Sequence, residues 1–469
     1  MRRFTISATI AVAVLAAVAF AQQPQSAAGL LKEFFAAVNS DDPEALVEFY
    51  KEGVTEDFRT RRTAEEDRAF YRRVRDDLGA LTVEGLRRVA PDKALAMVNA
   101  EKTDMPVEFA FDLAGGKIDG FSVRVGGPPG GRDAMVQLPD EASPEEFAAT
   151  LDRQLKRLAA TDRFSGVVLL ARDGEPVFHR AYGKAEREAG RAVTTATAFD
   201  VGSITKMITK VAIAQLAQAG KLGLSDAVSE HLPDYPNSEV AKMITIQQLV
   251  DHSSGLGDIF NQRWVEADKS KFVQPDDFFS LFADEPLQFT PGEKRSYSNA
   301  GYITLGAVVS AASGRPYFDY VEERIFRPAG MSDSGFPVKD GSDVSLAIGY
   351  TRGGPTGGHA DATGPLESNL GMLPIRGCPA GSSTHTASDL LKLDSALRAG
   401  KLADPEWTAW VFGSVSVRET SDYGIGVAGG GPGVSAGWEG NGGATAIVLA
   451  NLDPPAGSGL VLELFRAIR

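Results

Sequence analysis

The sequence holds a single cysteine, Cys378, in 469 residues. An intramolecular disulfide is therefore excluded. A lone thiol is most simply a small buried residue, so Cys378 is not taken as a nucleophile. Histidine is also scarce: the five are scattered without metal-ligand spacing, so neither a metal nor another cofactor is expected. Runs of positive charge are missing. Lys and Arg total 48 against 62 Asp and Glu, a net charge of −14, which argues against nucleic acid as a partner. Long apolar runs are missing too, apart from one at the start.

That run, Ala8 to Phe20, follows Arg2 and Arg3 and ends in Ala19-Phe20-Ala21. A positive n-region, a short apolar stretch and an A-x-A site read as a secretory signal over residues 1–21. The run is short for a membrane span. The expectation is a secreted or periplasmic protein with no stable membrane anchor after cleavage. No cysteine stands directly after the cleavage site to carry a lipid.

Residues 27–39 carry Leu30, Leu31, Phe34, Phe35 and Val38 at helical spacing. Asp41-Asp42-Pro43 offers a cap and a first-turn proline for a second helix, and Thr63 with Glu66 forms a capping box for another. From about Leu81 the period changes to two. Val107, Phe109, Phe111 and Leu113 alternate, as do Phe121, Val123 and Val125, around a turn at Ala114-Gly115-Gly116. Residues 27–126 therefore read as a small α+β domain. Its element order resembles the cone-shaped fold of the nuclear-transport-factor and limonene-hydratase type, and it shows no convergent Asp, His and Tyr set. Residues 127–142 have linker composition, overlapping the run Gly-Gly-Pro-Pro-Gly-Gly over residues 126–131. Ser143-Pro144-Glu145-Glu146 then opens a helix. A second domain is expected over 143–469, with a first strand at Gly166–Ala171, a turn at Asp173-Gly174 and a return to Tyr182.

Ser203-Ile204-Thr205-Lys206 precedes an apolar helical stretch. At i and i+3 the hydroxyl and the amine share a helix face. A serine hydroxyl is a poor nucleophile until a base takes its proton, and a neighbouring lysine can supply that activation. If Ser203 opens the helix, its N–H also points at an incoming carbonyl oxygen. Tyr297-Ser298-Asn299 is the second element. A phenol beside a lysine cation is expected to be acidified, so Tyr297 can act as general base and later as acid. Asn299 can offer a donor and an acceptor to a substrate amide. Tyr235-Pro236-Asn237 repeats the spacing, but sits in a Pro-flanked turn and reads as loop packing.

Together these stretches resemble the β-lactamase-related serine hydrolases: Phe199 through Lys206, Leu249-Val250-Asp251-His252-Ser253-Ser254-Gly255-Leu256, Pro291-Gly292 through Tyr302, and Arg324 through Met331. The similarity runs from about Phe164 to the C-terminus. It implies an α/β fold with an antiparallel sheet flanked by helices plus a helical lobe. It implies an acyl-enzyme on Ser203, with Lys206 and Tyr297 as its activating pair. In that family the His252 stretch is a supporting loop. His385 reads as part of a capped helix start.

The family's third motif, Lys-Thr-Gly or His-x-Gly, is altered here. The matching stretch is Val427-Ala428-Gly429-Gly430-Gly431-Pro432-Gly433, with no cation. Gly430 or Gly431 can still give a second oxyanion N–H, since a backbone donor needs no side chain. Without a cation, binding of a substrate carboxylate is doubtful unless an arginine such as Arg376 replaces it in space. The expected activity is hydrolysis of small esters or amides, with an esterase favoured over a β-lactamase or D-alanyl-D-alanine carboxypeptidase. A non-catalytic module for peptidoglycan-like ligands is the other reading. The sequence carries no signal for oligomeric state.

Overall fold

The computed structural model describes residues 27–60, 63–90, 92–125, 136, 138, 143–353, 364–413, 424–441 and 443–468. The expected signal at 1–21 and most of the expected linker lie outside these residues. The chain divides into two compact units, residues 1–134 and 135–469.

The first unit is α+β. Helices α1 (Ala27–Asn39), α2 (Glu44–Gly53), α3 (Glu56–Thr60) and α4 (Ala64–Asp77) precede strands β1 (Leu81–Ala90), β2 (Lys93–Ala100), β3 (Thr103–Ala114) and β4 (Lys117–Val125). The strands pair antiparallel in sequence order. The Thr63–Glu66 capping box forms at the start of α4. Asp42 Oδ1 accepts the Glu44 N–H at 2.9 Å, which caps α2. Ala114 pairs with Lys117 across Gly115 and Gly116, whose φ values are +58° and +79°. A two-residue hairpin of this hand needs positive φ at both positions, which glycine adopts without strain. The core is aromatic: Phe34 meets Phe35, Phe109, Phe111 and Phe121 at ring-centroid distances of 5.2–6.0 Å.

The second unit is built on a five-stranded antiparallel sheet. Helix α5 (Pro144–Ala160), capped by Ser143 and Glu146, leads into β5 (Gly166–Arg172) and β6 (Glu175–Tyr182). A helical region follows, with α6 (Thr205–Gln218), a short α7 (Gln262–Glu266), α8 (Asn299–Ser313) and α9 (Ala387–Arg398). The chain then returns through β7 (Ile425–Gly431), β8 (Val434–Gly440), β9 (Ala444–Ala450) and α10 (Ser458–Ile468). The spatial order is β7-β8-β9-β5-β6. Along β5, Val167, Leu169 and Ala171 join the core of the helical side, while Val168 and Leu170 join a core with α5 and α10. Both faces are covered. This explains why β5 and β9 read as continuous apolar runs rather than alternating ones. Helix α6 is buried along most of its length.

Candidate active site

Phe199–Asp200 pairs with Thr384–His385, and the chain then turns into a 3-10 segment, Gly202–Ile204. Ser203 sits in this segment, and the α-helix begins at Thr205, two residues later than a serine-initiated helix would place it. The turn is held tightly. Asp200 Oδ1 accepts the Gly202 N–H at 2.8 Å. Gly202 O accepts Thr205 Oγ1 at 2.8 Å and Ser382 N at 3.1 Å. Ser383 Oγ lies 2.7 Å from Thr205 Oγ1 and 2.8 Å from His385 Nε2. Thr205 gives its proton to Gly202, so Ser383 donates to Thr205 and His385 donates through Nε2. His385, fully buried, thus holds the turn from behind; burial pushes its pKa down to about 4, so it is neutral. Asp389 is turned elsewhere, towards Asp333, Ser334 and Lys392.

The structure brings Ser203, Lys206 and Tyr297 together. Lys206 Nζ lies 3.2 Å from Ser203 Oγ, as the i, i+3 spacing requires, and the Tyr297 hydroxyl lies 2.7 Å from the same oxygen. Lys206 also donates to Asn299 Oδ1 at 2.8 Å and to the Ala380 carbonyl. It is buried, and desolvation pulls its pKa down to about 7. The Tyr297 phenol moves the other way. The cleft walls partly desolvate the phenol and raise its pKa above the ordinary tyrosine value, although the side chain as a whole is 53% exposed. This corrects the expected acidification: the Lys206 amine lies 4.7 Å over the ring and bonds to other acceptors, and desolvation disfavours its charged form.

Asn299 is used from both ends inside the protein. Its Nδ2 donates to Asp258 Oδ1 and Oδ2 at 3.1 and 3.0 Å, and its Oδ1 faces Lys206. The expected contact of Asn299 with a substrate amide has few free valences left. His252 lies against Tyr297 (centroids 4.6 Å) and Tyr302 (5.1 Å), and its Nδ1 accepts the Ser298 N–H at 3.2 Å. It backs the tyrosine and makes no contact with Ser203. Tyr235 is buried against Phe279, away from the site.

Strand β7 runs beside the Ser203 turn. A Cβ on Gly429 would meet Val201 O at 1.9 Å and Ser203 N at 2.8 Å, so only glycine permits this approach. Gly431 pairs with Val434 across the two-residue Pro432-Gly433 turn, and Gly430 pairs with Ser435. Hydrogen-bonded and non-bonded pairs alternate along an antiparallel ladder, and the pair that closes a two-residue turn is bonded. Gly431 therefore turns its N–H into the hairpin. Gly430 directs its N–H outward, on the side of Gly202. Of the two N–H groups, that of Gly430 is the one left free of the hairpin, and both glycines line the cleft over Ser203.

The cleft over Ser203 has a volume of about 520 Å³. Ile259, Phe260, Trp264, Val265, Met372 and Leu373 give it an apolar wall, and among the described residues no charged side chain lines it. Phe260 and Val265 are 53% and 66% exposed, unusual for their type. Arg376 does not supply a cation here. Its Nε donates to Phe336 O at 2.8 Å and its guanidinium lies 3.9 Å from the Phe318 ring centroid. Cys378 lines the cleft floor but is buried, and desolvation raises its thiol pKa, which keeps it protonated. Asp258 and the apolar wall were not singled out from sequence. Asp258 lies two residues beyond the quoted Leu249–Leu256 stretch. Phe260, Trp264 and Val265 carry no pattern that separates a cleft wall from a core.

A serine bonded to a lysine and a tyrosine, between an antiparallel sheet and a helical region, defines a serine hydrolase. The Beta-lactamase family model matches residues 151–463. The chain belongs to the β-lactamase family, whose fold serves esterases, amidases and carboxypeptidases as well as β-lactamases. It is 30% identical over 284 residues to penicillin-binding protein 4* of Bacillus subtilis, a match covering 59% of this chain and 62% of that protein. It is 30% identical over 317 residues to esterase EstB of Burkholderia gladioli, covering 58% and 79% of the two chains. Among solved structures, a penicillin-binding protein from Bacillus halodurans superposes with a TM-score of 0.58 at 28% identity, over 67% of this chain and all of the other.

Proposed function

We propose that this chain is a secreted esterase that hydrolyses small uncharged esters through an acyl-enzyme on Ser203. One observation carries the reading: Ser203 Oγ is bonded by both Lys206 Nζ and the Tyr297 hydroxyl at the floor of a cleft lined, among the described residues, by no charged side chain. Secretion rests on the Arg2-Arg3, Ala8–Phe20 and Ala19-Phe20-Ala21 pattern. Residues 143–469 form the catalytic domain in this reading, and 27–126 an accessory one.

With a pKa near 7, Lys206 is neutral in a large fraction of molecules at neutral pH. Its two amine hydrogens then go to Asn299 Oδ1 and Ala380 O, which leaves the lone pair for the Ser203 hydroxyl. Ser203 Oγ adds to the ester carbonyl as its proton passes to Lys206. The Ser203 and Gly430 N–H groups receive the oxyanion. The carbon–alkoxide bond breaks, and the alkoxide takes the Tyr297 proton. Lys206, now an ammonium over the tyrosine ring, stabilises the phenolate. Water then adds to the acyl carbon and gives its proton to Tyr297. The bond to Ser203 breaks, and Oγ recovers its proton from Lys206. Protons and bonds balance over the cycle.

The test is covalent labelling with a fluorophosphonate, read by peptide mass spectrometry. The expected adduct is on Ser203, and Ser203→Ala should remain unlabelled. Labelling elsewhere, or none on a folded preparation, sinks the reading.

A further inference from the structure

At the end of α6 remote from Ser203, a polar cavity of about 500 Å³ opens between helix ends. Lys221, Arg315, Arg324 and Lys401 line it, against one carboxylate, Glu323. Glu323 is committed to Arg315. Among the described residues, Lys221, Arg324 and Lys401 have no acidic partner. In a chain of net charge −14, this is a local reversal of sign.

Basic side chains often gather at helix C-termini to satisfy the last carbonyls. Here the backbone does much of that task. Ala219 N, Gly220 N and Lys221 N bond Gln215 O, Ala217 O and Leu216 O at 3.0, 2.9 and 2.9 Å, closing α6. Gly314 N bonds Ser310 O at 3.0 Å, closing α8, and Ala399 N and Lys401 N bond Ser395 O and Ala396 O at 3.0 Å, closing α9. Gln215 Nε2 serves Arg324 O and Leu402 O at 3.0 and 2.8 Å. The three cationic heads are therefore surplus to the capping. Gln218 Oε1 accepts Asp404 N at 2.9 Å, which leaves its amide hydrogens uncommitted at the same wall.

We infer that this cavity binds a compact phosphate-bearing anion with two or more charges. The lysines and the arginine bring three positive charges from three separate segments to one recess, so an ion with two or more negative charges gains more from them than a singly charged one. A guanidinium fork and two ammonium groups match phosphoryl oxygens. Helix α6 spans roughly 20 Å at about 1.5 Å per residue, so this site is spatially separate from Ser203 and independent of the hydrolase reading.

Isothermal titration of the full chain at low ionic strength, with inorganic phosphate, pyrophosphate and tripolyphosphate as probes, tests the site. Affinity should rise at least tenfold from phosphate to tripolyphosphate, with one ion bound per chain. The double variant Lys221→Gln/Lys401→Gln should lose tenfold or more in tripolyphosphate affinity while keeping its melting temperature and its rate on p-nitrophenyl acetate. Arg324→Gln gives the same readout should the double variant melt lower. Equal affinity for the three anions, or undiminished binding in all these variants, overturns the proposal.

Discussion

Asp258 accepts both amide contacts of Asn299, at 3.1 and 3.0 Å, and so turns the Asn299 carbonyl oxygen onto Lys206 Nζ at 2.8 Å. An amide has two ends, and only a partner can decide which one faces the lysine. Asp258 is that partner. It also favours the ammonium form of Lys206 through its charge.

Asp258→Asn should therefore cost about tenfold or more in kcat/KM, because hydrogen bonds to charged groups are worth about 1.5–3 kcal/mol and about 1.4 kcal/mol is a factor of ten. The pH midpoint of kcat/KM should move to lower pH, since the carboxylate that favours the charged amine is gone. A purely structural role would not move the midpoint. Unchanged rate and midpoint would separate Asp258 from the lysine.

Lys206 and Tyr297 share one oxygen, and in the proposed cycle they form one relay. Lys206→Ala and Tyr297→Phe should each cost about a hundredfold or more on p-nitrophenyl butyrate, and the double variant little beyond the worse single. Ser203→Ala should abolish turnover with the fold intact. Losses that multiply in the double variant would mean two independent roles.

The rate should follow the neutral form of Lys206. Below a pH of about 7 the amine is protonated and has no lone pair for Ser203, so kcat/KM should rise with pH through about 7. Tyr297 is shifted above the ordinary phenol range and should stay protonated, giving no second transition between 7 and 9. A profile that falls over this range contradicts lysine as the base.

Local chemistry was legible in the sequence, and tertiary chemistry only where the family resemblance carried it, as for Tyr297 beside Ser203. The capping boxes at Thr63 and Ser143, the hairpin at Gly115-Gly116 and the shared face of Ser203 and Lys206 all depend on residues within four positions. Asp258 and Asn299 are 41 residues apart and meet only after α8 packs. The direction of the Tyr297 shift depends on burial, which no spacing reveals. Arg376, a plausible cation in sequence, is tied to Phe336 O and the Phe318 ring.

Val427 and Ala428 occupy the third-motif positions at which the family resemblance leads one to expect a cation, and among the described residues no charged side chain lines the cleft, Lys206 being engaged beneath Ser203. A fixed cation pairs with a substrate carboxylate through charge-assisted hydrogen bonds of about 1.5–3 kcal/mol. Without one, an anionic substrate gives up its hydration and gains no counter-charge. Neutral short-chain esters should therefore exceed nitrocefin in kcat/KM by about tenfold or more on one preparation. Residues two apart on a strand share a face, so Val427 lies on the side of Gly429, whose Cβ would meet Ser203 N at 2.8 Å, and Val427→His places a new imidazole on the Ser203 side of β7. That variant should narrow the gap by raising nitrocefin turnover at pH 6, where the imidazole is largely charged, and leave the neutral ester nearly unchanged. Efficient nitrocefin hydrolysis by the unmodified protein would overturn the preference for uncharged esters and make β-lactam cleavage the leading activity.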